Sequence, residues 1–306
     1  MSQTPLPICY MSDLFRLHDP GQGHPERPAR YDAVAAAVAS SGAERREAPS
    51  ASHEALERVH SPAYVELIER FCAGGGGALD PDTIVTEASW EAALRAAGGA
   101  IAAVEAVAGD PGVAAFSCGR PPGHHAEPAR AMGFCVFNSA AVAAAHARQA
   151  LGCERVAVLD WDAHHGNGTQ AIFYDDPAVL YVSLHQYPFY PGTGAAAETG
   201  AGAGAGATVN LPLAAGTSES AYLAAFHAQA LPAVVAFRPD LVIVSAGFDA
   251  AADDPLCSLL LTAPAFAEMA TALREPCGGP ALVLEGGYSL SALEAGVTSV
   301  LRAVST

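Results

Sequence analysis

The chain has 306 residues, enough for one large domain or two ordinary ones. With 51% hydrophobic and 15% charged residues it can build a large core, and wholesale disorder is excluded. Its 15 Lys+Arg against 32 Asp+Glu give a formal charge of −17, which excludes a nucleic-acid binder that works by neutralising phosphates and favours cationic substrates.

Short Val/Ile/Leu-rich runs recur between Ala-rich segments. In chain order they predict strands at Ile8–Met11, Val113–Ser117, Val156–Leu159, Val179–Leu184, Leu241–Ser245 and Ala281–Leu284. The runs are continuous rather than alternating, as in a parallel sheet buried on both faces. Helices are predicted at Pro62–Cys72, Ser89–Ala108, Asn138–Leu151, Ser218–Phe237, Ala263–Arg274 and Ser291–Ala303, with Pro232 kinking or splitting the fourth. This alternation predicts an α/β fold read as one domain over 1–306. The Gly-rich stretch 192–207 does not satisfy GxGxxG and is read as an irregular loop near the site rather than a phosphate cradle.

Seven cysteines (9, 72, 118, 135, 153, 257, 277) include no CxxC pair and lie mostly in apolar runs, which predicts free thiols in a reducing compartment. The N-terminal MSQTPLPICYMSD has neither a basic nor an apolar signal region, and the apolar stretch 131–147 stops at Arg148, short of a membrane span. A soluble cytoplasmic protein is expected.

In open α/β sheets function sits at the carboxyl ends of the strands. Polar residues collect there: Arg120 to His125 after the second predicted strand, Asp160 to Asn167 with His164 and His165 after the third, His185 after the fourth, Asp249 after the fifth, and Glu285 to Tyr288 after the sixth. In extended chain, Asp162 and His164 point to one face, and with Asp249 they make three ligands and an open position, the form of a catalytic zinc site. His124 and His125 need different partners to hold different protonation states. Asp160 would keep its histidine cationic and Asn167 would leave the other neutral, which offers an electrostatic stabiliser and a general base. Tyr288, after two flexible glycines, can donate to an oxyanion. Each element alone has an ordinary reading: polar loop starts, surface histidines, a packing tyrosine. Together they describe metal-assisted hydrolysis of an amide or ester.

The stretches HDPGQGHPERPARY, RPPGHHAEPARAMGFCVFN, VLDWDAHHGNGTQ, YPFYPGTG, VSAGFDAAADDPL and EGGY, spread over about 18–290, resemble the histone deacetylase family. The resemblance is to its class II branch and the bacterial deacetylase-like amidohydrolases. It implies the three-layer arginase/deacetylase fold with a mainly parallel eight-stranded sheet. It makes Asp162, His164 and Asp249 zinc ligands, His125 the general base and acid, His124 its electrostatic partner, Asp160 the acid orienting His124, and Tyr288 the catalytic tyrosine. Asn167 stands where class I enzymes carry Asp, as in the class II branch. A potassium ion is implied at Asp160 and Ser183 with backbone oxygens of Asp162, His164 and Leu184. Phe134, preceded by Gly133, and Tyr190 resemble the aromatic walls of a substrate tunnel that suits a lysine stem.

The same family includes acetylpolyamine amidohydrolases. Polyamine-selective class II relatives carry Glu after the Asp-Pro that follows the third zinc ligand, where this chain has Leu256, which favours acyl-lysine in peptides or proteins. Asp82 is read as a rim residue that holds substrate amides or as a solvated loop acid. Outside this class stand an arginase-like ureohydrolase with two manganese ions and a non-catalytic acyl-lysine-binding module. Neither nucleic-acid nor membrane partners are expected, homo-oligomerisation is left open, and an Asp₂His site takes zinc or ferrous iron.

Overall fold

A computed structural model describes residues 5–305 of the chain, the side chains of Glu275 and Cys277 excepted. In chain order its elements are β1 (Ile8–Met11), α1 (Ala29–Ser41), β2 (Glu44–Glu47), α2 (His53–Glu57), α3 (Pro62–Ala73), the hairpin β3 (Gly77–Asp80) and β4 (Thr83–Val85), α4 (Ser89–Gly109), β5 (Ala115–Ser117) and α5 (Ser139–Gln149). There follow β6 (Val156–Asp160), α6 (Asn167–Phe173), β7 (Val179–Gln186), β8 (Thr208–Leu213), α7 (Glu219–Ala225), α8 (Leu231–Phe237), β9 (Leu241–Ala246), α9 (Ala263–Cys277), β10 (Ala281–Leu284) and α10 (Leu290–Ala303).

Eight of the strands form one sheet in the order β2-β1-β5-β10-β9-β6-β7-β8, with every pairing parallel. The six predicted strands are all present, and six is also the number of inner strands of this sheet. Their continuous apolar runs are buried along their whole length, as a sheet covered on both faces requires. The two edge strands escaped prediction. Strand β2 reads Glu-Arg-Arg-Glu and is exposed at every position, and β8 carries Pro212. Charge and proline are common edge devices that carry no apolar signature.

Two sets of helices flank the sheet. Helices α4 and α5 pack together, with α2 and α3 against them, while α1, α10, α9 and α8 form a second chain of contacts. Helix α1, which was not predicted, is closed by Gly42 at φ +77, a left-handed position that suits glycine. The predicted 218–237 helix is split: a π-helical turn at Phe226–Ala230 separates α7 from α8, and Pro232 sits in the first turn of α8, where its missing N–H costs little. Helix α4 and the composite 219–237 are both long and apolar enough to cross a membrane by length and composition, longer than the 131–147 stretch singled out in the sequence. Most of the α4 window is buried within the fold. Six of the seven cysteines are free thiols, and the side chain of Cys277 lies outside the described residues.

Candidate active site

The four adjacent strands β5, β10, β9 and β6 deliver their carboxyl ends side by side, so segments far apart in sequence meet at one rim. His124 and His125 follow β5, Asp160 to Asn167 follow or end β6, Asp249 follows β9, and Tyr288 follows β10. A cavity of about 160 Å³ opens between them, walled by His125, His164, Tyr288, Phe134, Tyr190 and Leu256. Gly133 and Asp82 complete the lining. A larger depression of about 700 Å³ lies elsewhere, between α9, α10 and Ser40, and contains none of this chemistry.

The two histidines differ as their partners differ. His124 Nδ1 lies 3.0 Å from Asp160 Oδ2, and His125 Nδ1 lies 2.8 Å from Asn167 Oδ1. Asn167 Nδ2 donates to Glu127 Oε1 at 2.9 Å, which turns the amide oxygen toward His125. The His125 Nδ1 therefore carries the proton and Nε2 is the acceptor. Burial opposes charge on both rings. At His124 the charges of Asp162 and Asp160 overcome it and hold the ring well above the usual histidine range, whereas at His125 the neighbouring His124 and His164 add to it and push the ring well below.

Asp162, His164 and Asp249 bring one ligand atom each to within 4.8 Å of one another. His164 Nδ1 lies 3.1 Å from Asp162 Oδ1 and 2.9 Å from Asp249 Oδ2. The remaining carboxylate oxygens are held by backbone amides, Gly286 N to Asp162 Oδ2 at 2.8 Å and Ala163 N to Asp249 Oδ1 at 2.7 Å. Burial and then the charge of Asp162 push Asp249 up to about 7. A nitrogen, two carboxylates and an open side toward the cavity form a donor set that fits zinc or ferrous iron.

Glycine is required at several places around the site, two of them against the ligand pair and the His125 ring. A Cβ on Gly286 would stand 2.3 Å from Asp249 Oδ2 and 2.6 Å from Asp162 Oδ2, so this residue makes room for the ligand pair. A Cβ on Gly133, at φ +57, would meet the His125 ring at 2.4 Å. Phe134 follows at φ +68, costly for a bulky residue, and its ring stands edge-on to Tyr288 at 5.7 Å. Tyr190 stands edge-on to His125 at 5.2 Å.

Tyr288 is fixed from behind. Asp254 Oδ2 accepts from Tyr288 N at 2.6 Å and Ser289 N at 3.1 Å, Ser289 caps α10, and the Arg30 guanidinium lies 5.0 Å from the tyrosine ring centroid. Arg30 also donates to the carbonyls of Gly287 and Glu285. Burial keeps the phenol well above its usual range, hence protonated, despite the nearby Arg30 charge. Arg30, Asp254 and Phe189, whose ring stacks on His164 at 5.1 Å, were not singled out by sequence, and Glu285 was placed at a strand end without a role. The signal available for Arg30 was its i,i+4 spacing from Glu26 in a chain poor in charge.

Several residues near the strand ends serve elsewhere. His185 lies within β7 with Nε2 2.9 Å from Gly194 O, and His165 binds Thr193 and Gln170. Both sit under the Gly-rich loop, whose Gly194 and Ala195 amides are taken by Glu198. Asp82 is half-buried and lines the cavity, and its Oδ1 accepts from Gly133 N and Thr83 Oγ1. Asp160 and Ser183 are register partners on β6 and β7, and Leu184 O lies 3.4 Å from Tyr222 Oη.

A model of the histone deacetylase domain matches residues 24–304. The chain belongs to the histone deacetylase family. It is 44% identical to a histone deacetylase-like amidohydrolase of Pseudomonas aeruginosa, over 87% of this chain and 73% of that protein. It is 43% identical to a probable deacetylase of Methanothermobacter thermautotrophicus, over 94% and 87%. Among solved structures, the crystal structure of the HDA15 HD domain superposes with a TM-score of 0.95 at 39% identity, covering 99% of this chain and 88% of that one. This deacetylase-family chain thus has the mainly parallel eight-stranded fold that its motifs imply.

Proposed function

We propose that this deacetylase, acting as one catalytic domain over 1–306, removes acetyl and other acyl groups from Nε-acyl-lysine side chains in peptides or proteins, with zinc held by Asp162, His164 and Asp249. The observation that supports this most is the single cavity lined by the neutral His125, by His164 of the three-ligand cluster and by Tyr288, with Asp162 and Asp249 buried against His164. The chemistry such an ion supplies is Lewis-acid polarisation of the amide carbonyl and acidification of the attacking water. His125 Nε2 takes the proton of that water and returns it to the leaving amine, with its tautomer set by Asn167. The cationic His124, held by Asp160, favours the developing negative charge nearby. Tyr288 donates its hydroxyl to the oxyanion. Phe134 and Tyr190 flank the aliphatic stem and keep water out. Potassium would take Asp160, Ser183 and backbone oxygens of Asp162, His164 and Leu184, an oxygen set that suits a hard cation.

Leu256 presents an apolar surface to the cavity, which favours an acyl-lysine stem. A second reading, acetylpolyamine hydrolysis, draws on the Asp82 carboxyl in the same wall. Acetate release from an acetyl-lysine peptide and from a monoacetylated polyamine, each measured as kcat/KM on the zinc-loaded protein, tests the choice. Faster peptide turnover is expected. Faster polyamine turnover would overturn the acyl-lysine reading, and silence on all amides would overturn the enzyme reading.

A further inference from the structure

The reaction proposed above leaves Glu285 without a task, although this side chain is fully buried beside the His124–His125 pair. One of its oxygens, Oε2, accepts from two consecutive amides, Gly123 N at 2.7 Å and His124 N at 3.1 Å. The other, Oε1, accepts from Ser245 Oγ at 3.3 Å. The main chain of Glu285 is bound as firmly: its N donates to Ala246 O at 3.2 Å and its O accepts from Arg30 Nη2 at 2.5 Å. The turn it grips has little freedom to move away, since a Cβ on Gly123 would already stand 2.6 Å from Ser139 N and 2.7 Å from Phe137 O.

Glu285 also falls in a second group of metal-ligand types, with His124 and Cys135. That group does not fit a cation. Both carboxylate oxygens are engaged by the protein's own donors, and the Cys135 thiol donates to Gly133 O while burial pushes it well above the usual thiol range.

We infer that Glu285 is a positioning residue that ties the turn carrying His124 and His125 to the strand end carrying Tyr288, and so sets the separation between the proton-transfer group and the oxyanion donor. Only Gly286 and Gly287 separate Glu285 from Tyr288 along the chain, and its carboxylate reaches the backbone of His124 itself. No other side chain among the described residues accepts from both the Gly123 and His124 amides. Removal of the acceptor leaves two buried N–H groups without a partner, a state the turn can relieve only by shifting. A misplacement of about 1 Å in an active site costs on the order of 10²-fold in rate.

This inference rests on the hydrolase reading, and its test includes a readout independent of turnover. E285A, E285D and E285Q are compared with the parent by kcat and KM on an acetyl-lysine peptide, by zinc content, and by amide hydrogen exchange of a peptide covering 120–126. Glutamine keeps an oxygen for both amides and offers its NH₂ to Ser245. Aspartate keeps the charge but falls one methylene short. E285A and E285D should lose on the order of 10²-fold in kcat with little change in KM, keep their zinc, and exchange the 123–124 amides about tenfold faster or more. E285Q should restore protected exchange and most of kcat. If E285A does not fold, E285D decides. Parent-like exchange and kcat in the Ala or Asp variant, or a Gln variant as slow as they are, would overturn the inference. A parent inactive on every amide would remove the hydrolase reading, while exchange alone would still decide for or against the grip of Glu285.

Discussion

Two buried charge clusters meet behind Tyr288, and they are closed in opposite ways. In the first, Glu26 is fully buried and each of its oxygens has two donors: Arg30 Nη1 and Arg120 Nε on Oε1, Arg120 Nη2 and His18 Nε2 on Oε2. The remaining guanidinium donors go to the carbonyls of Phe15, Gly287 and Glu285. This cluster is complete within the chain. Burial would raise the Glu26 carboxyl, but the charges of Arg120, His18 and Arg30 outweigh it and hold the group well below its ordinary value. In the second cluster, Asp162 and Asp249 converge on one ring nitrogen of His164, so a single proton stands between two buried carboxylates. That cluster carries more negative charge than its own donors balance, and a divalent cation is what would complete it. The difference teaches where to look for function. A buried ion network whose donors all end on acceptors of the protein is scaffold, and one whose carboxylates converge on a single shared proton is a site.

The contrast can be broken by substitution. Asp249→Ala removes a ligand of the unbalanced cluster and should abolish zinc retention together with turnover, a loss of several kcal/mol or on the order of 10³-fold in kcat/KM. Metal analysis alongside acetate release checks it, and a variant that keeps both would separate the cluster from the chemistry. Glu26→Gln should act on stability, because it leaves two buried guanidiniums without their counter-charge. Breaking a buried network of this kind costs about 3–5 kcal/mol, read as a fall in the denaturation midpoint. Unchanged stability would mean that the backbone carbonyls alone suffice. Tyr288→Phe touches neither cluster's charge. It should keep zinc and lose on the order of 10²–10³-fold in kcat, the range for one oxyanion donor. Equal activity would remove Tyr288 from the mechanism.

Much of this organisation was legible in the sequence, for a physical reason. Strands buried on both faces must be apolar throughout, so the six inner strands announce themselves, and the polar residues that end them stand out by contrast. That Asp160 holds one histidine and Asn167 the other followed from residue chemistry, which histidine goes with which followed from the family resemblance, and the Asp160–His124 and Asn167–His125 pairs are present in the structure. What was not legible depends on distance across the fold. Glu285 sits in a motif, yet nothing local says that its carboxylate caps a turn 161 residues away. Gly286 reads as a hinge for Tyr288, whereas its role is to leave room for two carboxylates. Strands β2 and β8 are edges whose charge and proline hide them, and α1 overlaps the 18–31 loop stretch and is rich in alanine, with Val34 and Val38 as its aliphatic core residues.

The most direct test of the account is a zinc titration of the metal-free protein between about pH 5.5 and 8, followed by heat release and by thermal midpoint. Without metal, Asp249 is pushed up to about 7 and His164 to about 10. Zinc must therefore displace protons from the site, so affinity and zinc-dependent stabilisation should both grow as pH rises through this window. One zinc per chain is expected, with proton release on binding and a midpoint gain that widens with pH and vanishes in Asp249→Ala. Zinc uptake that is absent, independent of pH, or unchanged in that variant would contradict it.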